Sequence, residues 1–176
     1  MAASSDWTAG RRPGLGAFFE SGAGLRYAPA PMVSPTATVL EFRTELDAPP
    51  DRVFAALTEA RHLERWFCDS AQSDPANGGR VVMRWSRADA SEPAYEARWV
   101  VFEPPMACAY EGGHSGYPDG YAGRVGFELG VDGDRTVLIT RHRLPARPDY
   151  VPLTERHRQG WPRALARLAD YLSPVT

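Results

Sequence analysis

An α+β domain is predicted, with an antiparallel sheet curved around one long C-terminal helix. Three observations predict it. Two-residue alternation recurs from Thr38 to Leu144, two short stretches of helical spacing interrupt it early, and the long amphipathic pattern comes last, from Trp161 to Leu172. A sheet with one apolar face must cover that face, and the last helix is the element long enough to do so.

The first strand is "VLEFRTEL", in which Leu40, Phe42, Thr44 and Leu46 alternate with Val39, Glu41, Arg43 and Glu45, the period of a half-buried strand. In "APPDRVFAALTEARHLERWF" the period lengthens. Asp47 stands where it can cap, Pro49 and Pro50 suit a first helical turn, and Val53, Phe54 and Leu57 share one face. Thr58 can cap a second short helix, whose Leu63, Trp66 and Phe67 recur at three and four residues. "NGG" at Asn77 to Gly79 turns into "RVVMRWS", which points Val81, Met83 and Trp85 one way. "AYEARWVVFE", stopped by Pro104 and Pro105, and "MACAYEG" are further strands, and "YPDGYAG" is a loop. "RVGFELGV" and "RTVLITRHRL" form a hairpin about "DGD". In "RQGWPRALARLADYL", Trp161, Ala164, Leu165, Leu168, Tyr171 and Leu172 make one stripe. A helix beginning near Pro152 is expected to kink or restart at Gly160 and Pro162.

The 176 residues, 43% of them apolar, suit one domain with a sizeable core. It is assigned to 38–174, and the Gly- and Pro-rich segment 1–37 is expected to be a flexible or loosely docked arm. A net charge of −2 leaves neither a nucleic-acid nor an anionic-membrane footprint, and every basic residue is Arg. Cys68 and Cys108 fit neither a metal spacing nor a disulfide framework, and the four histidines include no pair at helical ligand spacing. No metal site is therefore expected. "GRRPGLGAFFESGAG" begins like an export signal, but Glu20 breaks its apolar run, and no stretch is long enough to span a membrane. A reducing, cytoplasmic setting is the expectation. Neither a phosphate-binding Gly loop after a strand nor a Gly-x-Ser-x-Gly elbow occurs, and no cofactor is expected.

Five segments carry a family resemblance: "APPDRVFAALTEARHLERWF", Gly78 and Gly79 before a strand, "YEARWVVFEPPMACAY", "DRTVLITRH" and "GWPRALARLADYL". In that order, over about Thr38 to Ser173, the chain resembles the START-like (SRPBCC) superfamily and, within it, homologues of the heat shock protein 90 ATPase activator. The resemblance implies a helix-grip fold, as in the bacterial single-domain members. Two positions depart from the family pattern. Ala97 stands where Gly often follows the Tyr-Glu pair, and Gly112 stands where the next strand often ends on Trp.

For function, the resemblance implies a domain that binds a small apolar or amphipathic molecule, acting as a monomer or homodimer. The alternatives are a polyketide-type cyclase or aromatase-like enzyme and a chaperone-interacting module. The candidate ligand-binding residues are Trp66, Trp85, Trp99, Tyr110, Phe127 and His142; no catalytic residue is assigned. Pockets are mostly aromatic with a few polar groups, and these aromatics fall at inward or element-end positions. Arg141 and Arg143 prefer water, which turns Thr136, Leu138, Thr140 and His142 toward the helix. His142 is either a core histidine satisfied by a backbone carbonyl or a pocket group able to bind or to transfer a proton. Trp161 is expected to pack the helix onto the sheet.

Overall fold

The computed structural model describes residues 37–86, 94–133 and 135–173. Residues 1–36 of the expected arm lie outside them, and Ala37 opens the first strand. The strands are β1 (Ala37–Leu46), β2 (Ser70–Ser73), β3 (Arg80–Arg84), β4 (Tyr95–Glu103), β5 (Ala107–Gly113), β6 (Gly123–Asp132) and β7 (Arg135–Pro145). Two short helices, α1 (Pro50–Thr58) and α2 (Ala60–Trp66), follow β1, and α3 (Val151–Leu172) closes the described chain. All strand pairs are antiparallel, in the order β1-β7-β6-β5-β4-β3-β2. This is the expected helix-grip arrangement.

The alternation read from the sequence sets the register. On β7, Thr136, Leu138, Thr140, His142 and Leu144 are buried while the residues between them are not. The helix contributes Leu153, Trp161, Ala164, Leu165, Leu168 and Leu172 to the interior. One large apolar cluster joins Trp161, Ala164, Leu165, Leu168 and Leu172 to α1, α2 and the strands, and a smaller one gathers Leu40, Leu144, Tyr150 and Leu153.

Three local expectations are corrected. Asp47 does not cap α1, since its carboxylate lies 3.6 Å from Arg135. Thr58 does not cap α2, because its hydroxyl donates backward to the Phe54 carbonyl at 2.8 Å, the back-bonding open to a threonine at a helix end. The third concerns α3, which runs unbroken through Gly160 and Pro162 rather than restarting there.

The two departures from the family pattern are one feature, because Ala97 on β4 and Gly112 on β5 are cross-strand partners. A Cβ on Gly112 would stand 2.0 Å from the Glu96 carbonyl oxygen and 2.7 Å from the Ala97 Cβ. The nearest contacts are with the backbone of β4, so Gly is required at 112 whatever side chain stands at 97, and the Ala97 methyl only adds to the crowding.

Candidate ligand-binding interior

The sequence-predicted aromatics converge on the interior. Trp66, Trp99, Tyr110 and Phe127 are buried, and Trp85 is half-buried just beyond the end of β3. Phe67, Trp85, Tyr95, Tyr110, Phe127 and Trp161 form a closed circuit of ring contacts. Going round it, the centroid separations are 5.4, 6.4, 6.0, 6.2, 6.0 and 5.9 Å. Most neighbours meet edge to face, whereas Phe67 and Trp161 are stacked at 16°, two geometries that ring quadrupoles favour. Trp99 joins from the side, 5.7 Å from Tyr110, and Trp66 lies 4.9 Å from Phe67.

Each of these indoles spends its N–H on the protein. Trp66 donates to the Ala56 carbonyl at 2.9 Å, Trp85 to the Phe67 carbonyl at 2.7 Å, and Trp99 to Ser73 Oγ at 3.2 Å. Trp161 donates to His142 Nδ1 at 3.1 Å. An indole can only donate, so these four tryptophans keep no free N–H and present only ring surface to the interior.

The last contact fixes the state of His142. Because Nδ1 accepts from Trp161, the ring proton sits on Nε2, which donates to the Ala122 carbonyl at 2.8 Å. His142 is 2% exposed, and burial pushes its pKa down to about 4. It is thus a neutral, fully bonded imidazole. Gly123 makes room for it: with φ at +103°, a Cβ there would meet the Arg143 carbonyl oxygen at 2.3 Å and His142 Nε2 at 3.2 Å.

Beside it lies a histidine the sequence reading passed over. His157, on α3, has its ring centroid 4.4 Å from that of His142. Burial, followed by the neighbouring His142 and Arg156, lowers its pKa to about 3. Its Nε2 is buried without a hydrogen-bond partner, as is the hydroxyl of the fully buried Thr140. Thr140 is two residues before His142 on β7, hence on the same inward face. A signal for His157 existed, since it lies four residues before Trp161 on one helical face.

The remaining chemistry is quiet. Cys68 and Cys108 are buried free thiols, and burial pushes Cys68 up to about 12, which removes it as a nucleophile at neutral pH. Among the described residues, no cluster of His, Cys, Asp or Glu is placed to hold a metal ion, and no helix is long and apolar enough to cross a membrane.

A curved antiparallel sheet gripping α3, lined on its inner face by aromatics, defines a START-like helix-grip domain. Residues 47–173 match the family model described as activator of Hsp90 ATPase homolog 1-like protein, and the chain belongs to that family. No curated protein sequence matches it significantly. Among solved structures, protein MLL2253 from Mesorhizobium loti is similar at 22% identity and a TM-score of 0.66, over 77% of this chain and 96% of that one. The Aha1 dimer from Colwellia psychrerythraea is similar at 15% identity and a TM-score of 0.66, over 77% and 96%. DynU16, a protein in the dynemicin biosynthetic locus, is similar at 21% identity and a TM-score of 0.61, over 76% of this chain and 46% of that one. At these identities the likenesses speak to the fold.

Proposed function

We propose that the protein binds a small, largely apolar molecule between its sheet and α3. The observation that carries this reading is the closed circuit of six aromatic rings, contributed by α3 and by the sheet and helix ends that face it. Ligand sites are lined mainly by apolar and aromatic groups with few polar ones, and here the tryptophan N–H groups are already engaged. Trp66, Trp85, Trp99, Tyr110 and Phe127 supply apolar wall, and His142 acts by positioning Trp161. The buried free thiols suit a reducing, cytoplasmic setting.

The second reading is a cyclase- or aromatase-like enzyme, prompted by the shared fold of DynU16, a protein in a biosynthetic locus. Binding is preferred because the two interior histidines are weak bases, with pKa values near 4 and 3, whereas a general base works best with a pKa near the operating pH.

Native mass spectrometry of the gently purified protein tests the proposal. The expected result is a small-molecule adduct that organic extraction removes and that changes the intrinsic Trp emission on return. Protein with no adduct, and with emission unmoved by any hydrophobic probe, would turn the reading toward a surface-acting interaction module.

A further inference from the structure

We propose that the outer edge of β1 is an interface between two copies of this chain, which pair antiparallel about a two-fold axis at Phe42, so that Glu41 of each copy lies opposite the partner's Arg43. β1 stands at the end of the sheet and pairs with β7 on one side. Among the described residues no strand pairs with its other edge, which runs the length of a 10-residue strand and is a template for a further one. The opposite end of the sheet is protected. β2 there has only 4 residues, and the Glu64 carboxylate accepts from its Ala71 N–H.

Most of the usual defences of an edge are missing. β1 contains neither Pro nor Gly, and its pairing with β7 runs from Ala37 to Leu46 without a bulge, whereas exposed edges are commonly broken by such features or studded with Lys. The sequence just before β1 carries Pro29, Pro31 and Pro35, which lack the N–H that a ladder requires. A second β1 is the better partner.

Face and charge then select the register. Two antiparallel copies keep their inner faces on one side only if residues of the same face stand opposite, so the axis passes through a residue of β1. On the outer face Glu41, Arg43 and Glu45 alternate in sign, and all are exposed. An axis at any one of them sets that charge against itself, and like charges directly opposite destabilise a sheet. An axis at Phe42 instead sets Glu41 against Arg43 twice and keeps Thr38 to Leu46 of both strands in the ladder, whereas an axis at Leu40 or Thr44 shortens the overlap. The row of charge is already built on one side: Glu128 on β6 pairs with Arg141 on β7, which pairs with Glu41 at 2.7 Å. The partner's Arg43 continues that alternation across the edge. On the inner face the half-buried Phe42, packed on both apolar clusters, meets its own copy.

Sedimentation velocity of the full chain over a wide range of concentration tests this, with native mass spectrometry to tell mixed dimers apart. The expected result is a reversible equilibrium between monomer and dimer. Glu41→Arg and Arg43→Glu should each weaken the dimer about 10-fold, because two opposite-charge pairs become two like-charge pairs. Mixed in equal amounts, the two variants should form a heterodimer as tight as the unaltered dimer, since both pairs are then opposite in charge again. A chain that stays monomeric at every concentration overturns the inference, as does a dimer that neither variant weakens. A dimer strengthened by Glu41→Arg overturns it too, because Glu41 would then stand opposite Glu45. Should either variant fail to fold, amide hydrogen exchange in the unaltered protein decides: exchange along β1 should slow as concentration rises, and exchange that ignores concentration overturns the inference.

Discussion

Trp161 and His142 are joined by a hydrogen bond of 3.1 Å from the indole N–H to Nδ1, across the space between α3 and β7. The bond ties helix to sheet and, because indole cannot accept, also dictates where the imidazole proton resides. Protonating His142 would place a second N–H against the indole.

Trp161→Ala should therefore destabilise the domain by about 3–5 kcal/mol, the usual cost of a large buried truncation. Trp161→Phe keeps ring packing but leaves His142 Nδ1 without its donor, and about 1–3 kcal/mol should be lost. In that variant the His142 pKa should rise, read by NMR titration of the ring. A pKa that does not move would show that the indole does not set the imidazole's state.

Stability should depend on acid in a particular direction. The folded pKa values of His142 and His157 lie below the ordinary 6.5, at about 4 and 3, so as pH falls below 6.5 the unfolded chain takes up protons first. The contribution is complete above about pH 6.5 and is lost progressively toward pH 4 and 3. Each group contributes a slope of at most about 1.4 kcal/mol per pH unit. Urea unfolding between pH 7.5 and 4.5 checks this, and His142→Phe should flatten the curve.

Phe67→Ala removes the ring that stacks on Trp161 and meets Trp85 edge-on. Being only half-buried, it should cost less stability than Trp161→Ala. It should weaken an apolar probe about 2- to 10-fold, the value of one aromatic contact. Calorimetric titration with naphthalene measures it, and unaltered affinity would remove Phe67 from the wall.

Much of this interior was legible in the sequence because it follows alternation. Leu138, Thr140 and His142 face inward because Arg141 and Arg143 prefer water, and Trp66, Trp99 and Phe127 are buried as their spacing implies. What was illegible depends on contacts remote along the chain. The "SAQS" of β2 has no apolar alternation; it is a strand because β3 pairs with it, the Glu64 carboxylate accepts from the Ala71 N–H at 3.0 Å, and Ser73 bonds the Thr58 carbonyl at 2.6 Å. Phe67 and Tyr95 entered the circuit the same way. No spacing rule could announce that a residue after α2 would stack on one in the middle of α3.

Gly112→Ala should be strongly destabilising, by about 1–3 kcal/mol, the range for overpacking, since the added carbon would collide with the Glu96 carbonyl and with Ala97. The double exchange Ala97→Gly with Gly112→Ala should cost less than the sum of the single changes, measured as a coupling energy in a thermal unfolding cycle. Strict additivity would mean that Ala97 takes no part.

That crossing has an evolutionary corollary. The demand for glycine at 112 comes from the backbone of the facing strand, so in this backbone it does not depend on the side chain carried at 97. Position 97 can then drift without a matching change at 112, whereas any side chain gained at 112 must await a shift of the strand itself. Reconstruction of the lineage is expected to show position 97 changing while glycine at 112 holds.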